Sequence, residues 1–118
     1  MNIKPGHIEL FVSNTAASRD FYTSVLGFSL VTEQPGDLVW IEKDGLEFLL
    51  RPGKSPQHGA TYRDANSGIV FYTDDLQKTA AELRAAGLEF KGFDGTETCL
   101  TFTDPDGNWF QLVNPNGH

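Results

Sequence analysis

His7-Ile8-Glu9-Leu10-Phe11-Val12 and Gly68-Ile69-Val70-Phe71-Tyr72-Thr73 are two short alternating stretches that open matching halves of the chain. Each leads into a helix-like segment, the first closing on Leu26-Gly27-Phe28 and the second on Ala86-Gly87-Leu88. Each half then runs through hairpin-like segments to an Asp-Gly turn and an apolar strand. These are Asp44-Gly45 before Leu46 to Arg51, and Asp106-Gly107 before Asn108 to Val113. The offset between halves is 61 residues at the opening stretches and 62 at the Asp-Gly turns. Self-similarity at a fixed period decides architecture before any single residue does.

Alternation in 7–12 predicts a strand with Ile8, Leu10 and Val12 on one face and His7, Glu9 and Phe11 on the other. Ser13 or Asn14 is placed to cap the following helix, and Gly27 to end it in a left-handed conformation. Ala17, Phe21 and Val25, one turn apart, are expected to face the sheet. In the second half Asp74 or Asp75 caps, Leu76, Ala80, Leu83 and Ala86 form the stripe, and Gly87 terminates. Strands are expected at 28–32, 38–42 and 46–51, and again at 89–92, 98–103 and 109–113, with Asp-Gly and Pro-Gly pairs supplying the turns. Each half therefore reads β-α-β-β-β, and the fold class is α+β. The expected organisation is a single domain over 1–118, with module one at 1–52, a Gly- and Pro-rich linker at 53–67, and module two at 68–118.

At 118 residues the chain can bury a core without staples. Its lone cysteine, Cys99, forms no internal disulfide and fits a reducing compartment. Cys99 reads as a packing residue, since no base lies nearby in sequence. The opening Met1-Asn2-Ile3-Lys4-Pro5-Gly6 has no apolar leader character and no stretch reaches spanning length, so a cytoplasmic protein is expected. A net charge of -7 without a basic cluster argues against nucleic acid and anionic membranes and favours cationic ligands.

The paired β-α-β-β-β plan resembles the vicinal oxygen chelate superfamily, which includes glyoxalase I, fosfomycin-resistance enzymes, extradiol dioxygenases and bleomycin-resistance proteins. The matching residues are 7–12, Phe21-Tyr22-Thr23-Ser24-Val25-Leu26-Gly27-Phe28, and Asp104-Pro105-Asp106-Gly107-Asn108-Trp109-Phe110-Gln111-Leu112. The resemblance implies two modules that curl their sheets around a concave cleft, commonly in a homodimer. It also implies one metal ligand on the first and last strand of each module. Carried onto this chain, those positions read His7, Leu49, Gly68 and Gln111. One imidazole, an amide, a leucine and a glycine make a poor set for a divalent cation, which wants three imidazole or carboxylate donors. A shift of register by two would offer Glu47 in place of Leu49, giving an irregular His7, Glu9, Glu47 cluster. Glyoxalase-type isomerisation needs a metal and a carboxylate base, and Leu49 and Gln111 stand where that carboxylate would be.

A cleft without a metal is expected to be lined for contacts. Counting faces from His7 gives Glu9, Phe11, Glu47, Leu49, Arg51, Val70, Tyr72, Trp109 and Gln111 as its ligand-binding lining. Trp109 could stack on a flat ring or, with Glu9 and Glu47, hold a cation; each aromatic taken alone also reads as sheet packing. His58 lies in the polar linker near Tyr62 and Arg63, and His118 is terminal. Trp40, paired by the repeat with Phe102, is expected on the helix-covered face. The apolar Val39 and Ile41 beside it then suggest a strand covered on both sides, as in a dimer. The expected function is a metal-free small-molecule-binding protein like the bleomycin-resistance branch, of the antibiotic-resistance type. It would need no cofactor and would sequester a cationic or aromatic compound. The rivals are a lyase, isomerase or dioxygenase-type enzyme using a divalent metal at the rearranged site, and an accessory domain with a vestigial cleft.

Overall fold

The computed structural model describes residues 1–54 and 59–116. The chain forms two compact units, Met1–Ser55 and Pro56–His118, each an α+β βαβββ module with its own four-stranded sheet. The first contains β1 (Ile8–Val12), α1 (Thr15–Ser24), β2 (Ser29–Gln34), β3 (Leu38–Lys43) and β4 (Leu46–Pro52), in sheet order β1-β4-β3-β2. The second contains β5 (Ile69–Tyr72), α2 (Leu76–Ala85), β6 (Phe93–Asp94), β7 (Thr96–Thr103) and β8 (Trp109–Val113), in order β5-β8-β7-β6. In each sheet the first strand lies parallel to the last, through the helical crossover, and the remaining pairs are antiparallel.

The repeat holds at the level of local chemistry. Asn14 caps α1 by accepting from the Ala17 amide, and Asp75 caps α2 by accepting from the Lys78 amide, 61 residues on. Each satisfies a backbone donor that the first helical turn leaves without an internal partner. The turn between β3 and β4 places both Asp44 (φ 50°) and Gly45 (φ 87°) in the left-handed region, the geometry that suits a two-residue hairpin. Before β8 the turn is built differently. Asp104 Oδ1 accepts from the amides of Asp106 and Asn108, and Oδ2 from Asn108 Nδ2. The buried carboxylate thus ties down the whole Asp-Pro-Asp-Gly-Asn corner.

Each core lies on one face of its sheet. In the first module Tyr22, Phe28 and Phe48 form a ring cluster with centroids 5.2 to 5.9 Å apart, over Val39, Ile41 and Leu50. In the second, Phe102 stacks on Phe110 at 5.2 Å and Phe110 on Phe71 at 5.5 Å, beside Leu100 and Leu112.

Four local expectations are corrected. The buried stripe of α1 is Thr15, Ser18 and Tyr22, while Ala17 is exposed and Phe21 and the capping Val25 are half-buried. Adjacent aromatics at 21 and 22 offered two possible stripes, and Tyr22 reaches both Phe28 and Phe48. In α2 only Ala80 is fully buried, with Leu76 and Leu83 half-buried; Ala86 is exposed, and Leu88 closes that end instead. The strand expected at 89–92 is displaced to Phe93–Asp94, because Gly92 at φ 90° breaks the extended run. Finally, Trp40 pairs with Leu49 as Thr101 pairs with Gln111. Its structural counterpart is therefore Thr101, and it stands on the face that α1 leaves bare.

Candidate functional site

Because one helix covers one face of each sheet, the other face is where the sequence-predicted residues fall. On the first sheet β1 contributes Glu9 and Phe11, with His7 immediately before it, β4 contributes Glu47, Leu49 and Arg51, and β3 contributes Trp40; Glu9 and Trp40 both pair with Leu49. His7 Nε2 lies 2.8 Å from Glu9 Oε2, and Arg51 Nη1 donates to Glu9 Oε1 at 2.8 Å. The His7 ring stands edge-on to Trp40 at 4.6 Å, and Trp40 Nε1 donates to Gln34 Oε1. The Arg51 guanidinium sits 5.0 Å over the Phe11 ring, a cation–π contact. Arg51, and after it His7, hold the Glu9 carboxyl below the usual carboxylate range. His7, Glu9 and Arg51 thus form one hydrogen-bonded row with partly exposed side chains, in which Arg51 and Glu9 are ion-paired. Leu49, beside Glu9 and Trp40 in the sheet, is buried, and Glu47 is half-buried.

The second sheet is arranged otherwise. Trp109 and Gln111 are buried there, Val70 is exposed, and Tyr72 is 73% exposed at the end of β5. Tyr72 belongs to an open depression of about 460 Å³ shared with Thr73, Asp74, Asn114, Pro115 and Asn116. Trp109 and Gln111 are covered by the segment 59–65, which carries a 3₁₀ turn at Tyr62–Asp64. Trp109 Nε1 donates to the Gly59 carbonyl at 2.8 Å, and its ring meets Tyr62 edge-on at 6.2 Å. Gln111 is hydrogen-bonded to the Tyr62 phenol, and its Nε2 donates to Asp94 Oδ2 at 3.2 Å. Asp94 Oδ1 in turn accepts from Arg63 Nε. Burial pushes the Tyr62 phenol above its ordinary value, with the Gln111 bond opposing and the Asp94 charge adding to the rise. The phenol is therefore neutral near pH 7.

Gly68 has no left-handed φ to explain it. A Cβ there would overlap the Tyr62 hydroxyl and come within 2.6 Å of its Cζ. The glycine is required by its neighbour, not by its backbone. Of the four positions where the resemblance implies metal ligands, one is thus filled by another residue's phenol. A second is the buried Leu49, a third is an amide engaged by Asp94 and Tyr62, and the fourth is an imidazole paired with Glu9. These side chains do not form a donor set for a divalent cation. Among the described residues no group of three His, Cys, Asp or Glu side chains is placed to hold one. His58 and His118 lie outside the described residues.

Sequence reading missed Tyr62 and Asp94 as partners of Gln111, Arg63 as a partner of Asp94, and Trp40 as a partner of His7. For Tyr62 the available signal was Gly68 itself, a strand-start glycine with no turn to make. For Trp40 it was the offset of 61, which holds through β3 and lengthens only at the following turn.

Comparison with known proteins agrees with this architecture. YetH of Bacillus subtilis strain 168, an uncharacterized protein, is 27% identical over 115 residues, covering 91% of this chain and 94% of the relative. The crystal structure of TnmS3, an antibiotic binding protein from Streptomyces sp. CB03234, superposes with a TM-score of 0.71 at 25% identity, covering 98% of both chains. The fosfomycin resistance protein FosX of Listeria monocytogenes, solved with Mn(II) and a dihydroxypropylphosphonic acid, shares the fold with a TM-score of 0.74 at 19% identity, over 96% of this chain and 90% of that one. No helix among the described residues is long and apolar enough to cross a membrane. The model of the Glyoxalase/Bleomycin resistance protein/Dioxygenase superfamily matches residues 4–112, and the chain belongs to that superfamily.

Proposed function

We propose that this protein is a metal-free binding protein that sequesters a small aromatic or cationic compound against the helix-free faces of its sheets. The observation that carries the reading is Tyr62 standing in the space of a side chain at position 68. A module whose ligand position is filled by a neutral phenol is built for contact and hydrogen bonding, not for Lewis-acid chemistry. The ligand-binding set is His7, Glu9, Phe11, Glu47, Leu49, Arg51, Tyr72, Trp109 and Gln111, to which Trp40 and Tyr62 are added. On the first module Trp40 and His7 offer ring edges, and Glu9 and Glu47 offer negative charge to a cation. The similarity to TnmS3, an antibiotic binding protein, supports sequestration over turnover. The concave cleft, the homodimer and a cytoplasmic location belong to this reading as well.

Calorimetric titration of chelator-stripped protein with Zn(II), Ni(II), Mn(II) and Fe(II) tests it. The reading predicts no one-per-chain binding at micromolar concentration. Stoichiometric micromolar binding that disappears in His7→Ala would overturn it and favour a lyase or dioxygenase with a rearranged site.

A further inference from the structure

We propose that the helix-free face of the second sheet is a phenol socket, occupied in the resting protein by Tyr62, and that the ligand class it accepts is an uncharged phenol that takes Tyr62's place. This deepens the binding-protein reading and rests on it.

The contacts described for the Tyr62 ring and hydroxyl are ones that a free phenol could make. Gly68 supplies the space for the hydroxyl, since any side chain there would overlap it. Gln111 supplies the hydrogen bond, and its amide is held in orientation because Nε2 donates to Asp94, itself braced by Arg63. Trp109 supplies an aromatic wall, met edge-to-face, the arrangement that ring quadrupoles favour. Trp109 is in turn fixed through its own indole N–H to Gly59. A buried amide facing an aromatic hydroxyl discriminates by chemistry as well as shape, because a ring without the hydroxyl would leave that polar group unpaired. A carboxylated ring would meet the Asp94 charge beside Gln111.

The occupant is attached by a short segment and not by the sheet. Tyr62 lies in a single 3₁₀ turn, which is closed by the Ala65 amide donating to the Tyr62 carbonyl and by Thr61 Oγ1 donating to Asp64 Oδ2. Gly59 packs directly against the Asp64 backbone, so the segment folds on itself, with Tyr62 turned onto Trp109 and Arg63 onto Asp94. Release of that turn removes the phenol together with Gly59 and Arg63, while Gln111, Asp94 and Trp109 remain on their strands, with Gly68 just before β5 and the Gln111–Asp94 bond retained. The first sheet has no counterpart to this arrangement among the described residues.

The test uses p-cresol, the side chain of tyrosine as a free molecule, with toluene and 4-methylbenzoate as controls. Calorimetry on the full-length Tyr62→Ala variant should show one p-cresol bound per chain. Toluene should bind about tenfold more weakly, as expected for one lost hydrogen bond, and 4-methylbenzoate should not compete. Wild-type protein should bind p-cresol at least about tenfold more weakly than the variant, because its own phenol competes. Adding Gly68→Ala to Tyr62→Ala should abolish uptake. Independently, saturating p-cresol should accelerate amide hydrogen exchange at residues 59–65 of the wild-type protein, a readout that does not depend on the variant folding. Equal binding of toluene and p-cresol, indifference to Gly68→Ala, or unchanged exchange at 59–65 would each overturn the socket. Metal binding in the calorimetric titration would instead overturn the metal-free reading, so the two failures are separable.

Discussion

In the first module the helix-free face carries His7, Glu9 and Arg51 in a partly exposed, hydrogen-bonded row, with Glu47 and Trp40 beside it. At the equivalent places the second module carries Gly68, Val70, Val113, Trp109 and Thr101. Its fixed charges are gone from those positions, and a phenol from the preceding segment stands over the glycine. On the opposite faces the correspondence is conservative, since Phe48 matches Phe110, Leu50 matches Leu112, and Ile41 matches Phe102. The comparison separates what the fold needs from what the site needs. Core positions must stay apolar and well packed under each module's own helix, whereas helix-free positions are released to differ.

The largest effects should come where the modules agree. Phe48 and Phe110 are both fully buried. Replacement of either by alanine should lower stability by about 3–5 kcal/mol in denaturant titration. A large loss at one and a small loss at the other would break the symmetry claimed for the two cores.

The turns differ, and so should their mutants. Asp104→Ala strands three donors at the corner before β8 and should cost about 2–3 kcal/mol. In the first module the corresponding corner depends on the left-handed Asp44 and Gly45 plus one bond, from the Gly45 amide to Glu42 Oε1. Glu42→Gln should therefore cost about 1 kcal/mol or less by the same measurement.

The helices give a finer contrast. Thr79 Oγ1 lies 2.7 Å from Thr73 Oγ1, whereas Ser18, at the equivalent position of α1, is buried with no hydrogen-bond partner for Oγ among the described residues. Thr79→Ala should destabilise by about 1 kcal/mol, while Ser18→Ala should leave the melting temperature unchanged or raise it.

The smallest effect is one of pH. In the folded protein the Glu9 carboxyl is held below the usual carboxylate range because Arg51 and His7 bond its charged form. A depressed carboxylate contributes stability that is fully present above its unfolded value and is lost as pH falls through the folded one. The difference in melting temperature between wild type and Glu9→Gln should thus be constant above about pH 5 and shrink as the solution is acidified below it. A difference that grows on acidification would contradict the pairing.

Much of the fold was legible in the sequence because it rests on local rules that repeat. Asn14 and Asp75, Gly27 and Gly87, and the Asp44-Gly45 turn each announce themselves within a few residues. The faces of β1 and β4 followed from alternation alone. What was not legible depended on choices between near-equal local options or on partners distant in sequence. Phe21 and Tyr22 are adjacent aromatics, and only the positions of Phe28 and Phe48 decide which one is buried. Trp40 was misassigned by one residue of offset, which in a strand reverses its face. Tyr62 lies in polar linker sequence with no periodicity, so nothing local marks it as the partner of Gly68 and Gln111. In the candidate site, the identity of the helix-free residues could be read directly, but the pairing of His7, Glu9 and Arg51 and the covering of Trp109 could not.

The most direct test of the contrast between modules is a double-mutant cycle on Tyr62 and Gly68, read by reversible denaturant unfolding. If Gly68 is glycine to make room for the phenol, Gly68→Ala should destabilise the wild-type protein by about 1–3 kcal/mol through overpacking. The same substitution in Tyr62→Ala should cost nothing or stabilise slightly, since its backbone conformation does not require glycine. An equal loss in both backgrounds would show that position 68 does not answer to Tyr62, and the account of the second module as a self-filled site would fail.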